Sequence, residues 1–176
     1  MLPITPLQAS PATLAMLSAL LIESVADGAS VSFMHPLSPV AARAFWEAAL
    51  AAAARAERIV LGAWDGDVLA GTVSLLLDCP PNQPHRGEIA KLMVRKHYRG
   101  AGIALALMHE AERLARQRGR ILLVLDTASE GGAAPFYEKL GFQFAGEIPD
   151  YALKPHGGLT GTRLYWKRIV HAPQPS

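Results

Sequence analysis

The stretch Val94-Arg-Lys-His-Tyr-Arg99-Gly100-Ala101-Gly102-Ile103-Ala104 joins the end of an apolar run to the start of an amphipathic one through a basic, glycine-containing turn. Gly100 and Gly102 allow the backbone to turn tightly and to approach a ligand closely. The first N–H groups of the helix that follows have no partners inside it, and they lie at the positive end of the helix dipole. A strand, a glycine turn and a helix in that order form a cradle for a pyrophosphate or similar anion. Arg95, Lys96 and Arg99 add positive charge beside it.

Spacing separates the phosphate ligands such a turn can hold. A nucleotide P-loop requires Gly, four residues and then Gly-Lys-Ser/Thr, and no segment of this chain has that pattern. A dinucleotide fingerprint requires a third small residue three positions after the second glycine, where this chain has Leu105. Asp126 follows at a spacing compatible with that fingerprint, so the dinucleotide reading is weakened but stays open.

Outward from the turn, the pattern alternates helices and strands. Leu14, Leu17, Leu21 and Val25 have helical spacing within Pro11 to Ala26. Ser38-Pro39 gives a cap and a first-turn proline to an alanine-rich helix expected to run to Glu57. The intervening Asp27 to Leu37 reads as a loop able to cover a ligand site. Ile59 to Trp64, Asp65-Gly66-Asp67 and Val68 to Leu77 read as a β-hairpin. A proline-rich connection from Cys79 to Arg86 leads into a strand, Glu88 to Val94.

Gly102 to Gln117 places Ile103, Leu107, Ala111 and Leu114 on one helix face, and Gly119 ends the helix. Ile121 to Leu125 is a continuous apolar run, read as a buried strand. A short helix through Leu140, a strand from Phe142, a loop from Glu147 to Gly158 and a last strand from Thr162 to Ile169 complete the pattern. The expectation is one α/β domain over residues 1–170 with a disordered tail, 171–176.

Composition narrows the function classes. The chain has 176 residues, 51% apolar and 18% charged, which fits a globular enzyme and argues against intrinsic disorder. A net charge of +2 is too small for a nucleic-acid partner. Leu14 to Val25 is too short to span a bilayer, and no secretory signal is visible, so a soluble protein without a membrane partner is expected. The single cysteine, Cys79, cannot form an intramolecular disulfide and suits a reducing cytoplasm. The six histidines are scattered without metal-type spacing, so no metal is expected.

Two segments together carry a family resemblance. Arg99-x-x-Gly102-x-Ala104 after Glu88-Ile-Ala-Lys-Leu-Met-Val94 resembles the acetyl-CoA signature of the GNAT family of N-acetyltransferases. Ala134-Pro-Phe136-Tyr137-Glu-Lys139-Leu140-Gly141-Phe142 resembles the helix and turn after that family's fifth strand, and the order is the family's. Gly87 to Val94, Leu125-Asp126-Thr127, Phe136-Tyr137 and Gly146 to Ala152 are most similar to the tabtoxin-resistance branch, with a weaker echo at Tyr165 and Lys167.

The resemblance implies a three-layer α/β/α fold with a mixed, mostly antiparallel sheet splayed between strands 4 and 5. It implies acetyl-CoA as cosubstrate, a small-molecule amine as acceptor with a protein or peptide amine or a coenzyme A sensor without turnover as alternatives, toxin or antibiotic resistance as the role, and a monomer or homodimer. It places Arg99, Gly100, Ala101, Gly102, Ile103 and Ala104 at the pyrophosphate, and Leu92, Met93 and Val94 beside the pantetheine amides. Phe136 and Lys139 fall near the CoA arm, although core packing and a solvated lysine account for them equally well. Glu88 and Asp126 become base or amine-binding residues, and Tyr137 the general acid. Read without the resemblance, Glu88 is a solvated strand-start residue, Asp126 a cap, and Tyr137 a core aromatic.

Overall fold

The computed structural model describes residues 2–169; the tail expected to be disordered lies outside them. The elements are β1 (Ile4–Pro6), α1 (Pro11–Ala26), α2 (Pro39–Ala54), β2 (Arg58–Asp65), β3 (Val68–Leu76), β4 (Arg86–Val94), α3 (Ile103–Gln117), β5 (Leu122–Ala128), α4 (Ala134–Lys139), β6 (Gln143–Leu153) and β7 (Leu159–Arg168). The strands form one sheet in the order β1-β2-β3-β4-β5-β7-β6. β4 and β5 pair in parallel, and the other neighbours are antiparallel. This is the mixed, mostly antiparallel sheet that the sequence implies.

Helices cover both faces, because the central strands are apolar on both sides. α1 and α2 bury Leu17, Leu21, Val25 and Trp46 against Val60, Leu69 and Met93. α3 and α4 bury Leu107, Ala111 and Tyr137 against Leu61, Val73, Leu123 and Tyr165. Ser10 caps α1 by accepting a hydrogen bond from the Thr13 N–H at 3.0 Å, and Ser38 caps α2 by accepting from the Ala41 N–H at 3.1 Å. α2 stops at Ala54, short of Glu57, because Ala56 turns into the left-handed region at φ 61°.

Two further elements differ from the sequence reading. β1 has three residues ending in proline and is too short to show a periodicity. The expected loop from Glu147 is strand as far as Leu153. That segment is an edge strand exposed along nearly its whole length, so its residues show no apolar alternation. Register shifts between Phe144 and Gly146 and between Ile148 and Ala152 break it further, and Asp150 has φ 52°.

The feature that positions the site is where β4 and β5 part. Their pairing is limited to Arg86–Leu122, Gly87–Leu123 and Glu88–Val124. Beyond it β4 follows β3 to Val94, and β5 follows β7 to Ala128. β4 also carries a bulge: its register on β3 passes from Ala90 opposite Ser74 to Met93 opposite Thr72. Lys91, within the bulge, has φ 53°. The extra residue turns Leu92 and Val94 toward the α3 face and Met93 toward α1 and α2.

A buried ion cluster ties α3 to β7. Glu112 is only 8% exposed; it accepts from Lys167 Nζ at 2.7 Å and pairs with Arg116 as well. Removing its charge leaves two partly exposed cations without their partner, so Glu112→Gln is expected to destabilise the fold by about 1–3 kcal/mol. Urea unfolding checks this, with Glu110→Gln in the exposed pair with Arg113 as a control expected to have a far smaller effect.

Candidate active site

The cleft opened by the strand divergence has a volume of about 370 Å³. Ile89 to Leu92 of β4 form one wall and Asp126 to Ala128 of β5 another. Gly28 to Ser32, within the loop expected to cover a ligand site, close one side. Glu130, Gly131 and Ala133 between β5 and α4, Tyr137 of α4, and Lys154 and Thr160 of the β6–β7 hairpin complete the lining.

Asp126 and Tyr137, separate in sequence, therefore face the same space. Thr162 Oγ1 donates to Asp126 Oδ2 at 3.0 Å and orients the carboxylate from the neighbouring strand. Tyr137 is 8% exposed, with its ring packed among Phe136, Phe142 and Tyr165. Past the end of α4, Gly141 turns the chain at φ 83°, and the Phe142 N–H donates back to the Tyr137 carbonyl at 3.1 Å. Burial first, and the nearby Asp126 charge second, push the Tyr137 phenol up to about 12. It remains protonated across the physiological range.

Glu88 does not line the cleft. It occupies the last rung of the β4–β5 pairing, and its carboxylate accepts from Arg86 Nη1 at 3.2 Å. Of the two sequence-level acid–base candidates, the fold brings only Asp126 to the cleft with Tyr137. Leu92 lines it, Met93 is buried in the α1 and α2 core, and Val94 packs on the α3 core. Phe136 is partly buried on that core and Lys139 is exposed. In the stretch after Glu147, Lys154 reaches the cleft, whereas Glu147, Asp150 and Tyr151 lie outside it.

The glycine turn lies at the far end of β4. Gly100 and Gly102 have φ 82° and 78°, and a side-chain carbon built on either would meet open space. Glycine is favoured there by backbone conformation, not by crowding. Among the described residues, the N–H groups from Gly100 to Leu105 find no backbone acceptor. Ile103 offers only its backbone, since its side chain is buried.

The basic side chains beside this turn have acidic partners on α1 and at its end. Arg95 Nη1 pairs with Glu23 at 2.8 Å, Lys96 Nζ with Asp27 at 2.9 Å, and Arg99 also with Asp27. Hydrogen bonds from Lys96 and then Arg99 hold the Asp27 carboxyl below its ordinary range. These pairs tie the end of α1 to the turn and offset part of its charge. The unpaired β4 edge beyond Glu88 and the open amides at Gly100 to Ala104 suit the amides and pyrophosphate of a coenzyme A. Among the described residues no group of His, Cys, Asp and Glu side chains is arranged to hold a metal ion. No helix there is long and apolar enough to cross a membrane.

Residues 22–142 match the acetyltransferase (GNAT) family, and the chain belongs to that family. Over 81 residues it is 40% identical to the N-alpha-acetyltransferase 30 of Schizosaccharomyces pombe, a match covering 46% of this chain and 54% of that protein. The chain thus spans about half the length of the curated relatives it matches. A ribosomal-protein-alanine N-acetyltransferase from Brucella melitensis, 23% identical, shares the fold with a TM-score of 0.80 over 96% of this chain and 100% of its own. An aminoglycoside 6'-N-acetyltransferase complexed with coenzyme A, 20% identical, does so with a TM-score of 0.74 over 99% of each chain.

Two site residues had no role assigned from sequence. Thr162 is a strand threonine whose partner is on another strand. Lys91 falls within the Gly87 to Val94 resemblance but carries no role there, because neither the bulge nor its positive φ is visible in the residue pattern.

Proposed function

We propose that this chain is an acetyl-CoA-dependent N-acetyltransferase that acylates a primary amine of a small molecule, of the toxin or antibiotic-like amino acid type, by direct transfer in a ternary complex. The observation that carries this reading is the convergence of Asp126 and Tyr137 on the cleft where β4 and β5 part. The working unit is a single domain over residues 1–170, and the setting is the cytoplasm. The similarity of Gly87 to Val94 and Gly146 to Ala152 to the tabtoxin-resistance branch supports the small-molecule acceptor.

Acetyl-CoA supplies the activated acetyl group; the chain supplies position and proton transfers. The amides from Gly100 to Ala104 hold the pyrophosphate, and the free edge of Leu92 to Val94 takes the pantetheine amides. An ammonium has no lone pair for attack, so Asp126 accepts its proton, directly or through water. Tyr137 Oη, kept neutral by its raised pKa, donates a proton to the departing sulfur. Glu88, held by Arg86, flanks the cleft without a direct role in these transfers.

Isothermal titration with acetyl-CoA, with NAD and ATP as controls, tests the cofactor assignment. Selective acetyl-CoA binding is expected, and preference for NAD would revive the dinucleotide reading. A panel of amines and amino-terminal peptides with free-thiol detection then tests the chemistry. Turnover of small amines over peptides is expected. Turnover of peptides alone would reassign the acceptor, and binding without any turnover would make the domain a coenzyme A sensor.

A further inference from the structure

The cleft holds two cations and two carboxylates that line it directly: Lys91, Lys154, Asp126 and Glu130. Lys154 Nζ and Glu130 satisfy each other at 3.0 Å. Lys91 and Asp126 do not pair, and among the described residues neither has a counter-ion within ion-pair distance. Each has only a hydroxyl: Lys91 Nζ donates to Ser32 Oγ at 3.1 Å, and Asp126 accepts from Thr162.

Lys91 is placed there at an energetic cost. Its backbone has φ 53° inside a strand, a conformation unfavourable for a residue with a side chain by about 1 kcal/mol or more. The bulge re-aims the side chain so that the ammonium lies 5.9 Å from the Phe33 ring centre and 5.6 Å from that of Phe45. Those rings compensate part of the charge's lost hydration. They accept no hydrogen bond of ordinary strength, and an ammonium has three donors, of which Ser32 takes one. Burial, the largest influence on this group, pushes its pKa down, as expected for a cation short of partners.

The cleft therefore presents one unpaired cation and one unpaired anion to a ligand. We infer that the acceptor is an amine that also carries an anionic group, a carboxylate or a phosphate, with Asp126 taking the nitrogen and Lys91 the anion. This rests on the N-acetyltransferase reading above and adds the residue that selects the acceptor. Lys91 acts as a specificity determinant, since it binds the substrate away from the reacting nitrogen.

Two matched pairs of probes test this and separate the anion sources: L-methionine against L-methioninamide, and glucosamine 6-phosphate against glucosamine. In at least one pair the wild-type chain is expected to acetylate the anionic member with the lower KM. Lys91→Met is expected to raise that KM about ten- to a hundredfold, the range for one charged hydrogen bond, while leaving its neutral partner nearly unchanged. Lys91→Arg should retain most of the preference. Isothermal titration with N-acetyl-L-methionine, its amide, N-acetylglucosamine 6-phosphate and N-acetylglucosamine reads the same selectivity without turnover.

If wild type prefers the anionic member in neither pair by either readout, or if Lys91→Met weakens anionic and neutral members alike, the inference is overturned. If the anion preference in titration depends on Lys91 while no amine is acetylated, the inference stands and the acetyltransferase reading fails.

Discussion

Tyr137→Phe is expected to lower kcat about a hundred- to a thousandfold, the usual loss when a positioned proton donor is removed. The substitution keeps the ring and its contacts with Phe136, Phe142 and Tyr165, so the packing of α4 should survive. Acetyl-CoA affinity should change little, which places the loss in the chemical step. Asp126→Asn should produce a similar fall by removing the acceptor for the amine proton, and Thr162 can still donate to the amide oxygen. Pre-steady-state rates on the best amine from the panel measure both variants. Glu88→Gln separates the two carboxylates: its kcat should stay within a few-fold of wild type, and a loss as large as that of Asp126→Asn would move the base to Glu88.

The pH profile carries the sign of the Tyr137 shift. A general acid must be protonated to act, and the phenol is pushed up to about 12. The wild-type rate should therefore hold through pH 10, where an ordinary tyrosine is half ionised, wherever protein stability allows the measurement. In Tyr137→Phe no limb remains to be assigned to this group. A fall in kcat centred near or below pH 10 in wild type and absent from the variant would contradict the buried, neutral phenol.

The second large effect is on cofactor binding. Gly102→Val is expected to weaken acetyl-CoA at least tenfold in isothermal titration. At φ 78° a β-branched residue is strained, and relief of that strain rotates the amides that open α3 away from the anion. The strain alone will also reduce stability, so Gly119→Val serves as the control. Gly119 has φ 71° at the other end of α3, also with open space around it, and lies away from the cleft. Comparable melting losses in the two variants, with acetyl-CoA binding lost only in Gly102→Val, would confirm the turn as the pyrophosphate site. Equal retention of binding would remove Gly100 to Ala104 from the site.

Much of the scaffold was legible because its signals are local. Ser38-Pro39 announces a helix start through side-chain capping and a fixed proline φ, and α1 is announced by the helical spacing of its leucines. The apolar face of α3 follows from a spacing of three and four residues, and the glycine turn from two residues that tolerate positive φ. β6 escaped this logic. An exposed, bulged edge strand has no buried face to imprint on its sequence, so Glu147 to Leu153 read as a loop.

By itself, the sequence determined the order of the helices and of the strands from β2 onward, the position of the glycine turn and the candidacy of Asp126 and Tyr137. Those features depend on backbone preference, on periodicity or on motifs confined to one short segment. Only the tertiary structure decided which charges remain available. It set Glu23 against Arg95, 72 positions away, and Asp27 against Lys96 and Arg99, so the basic turn became a clamp on α1. It also withheld Glu88 from the cleft and delivered Lys91 to it through a bulge. Charge pairing is settled by distances between elements that the sheet brings together, and no single segment encodes those distances.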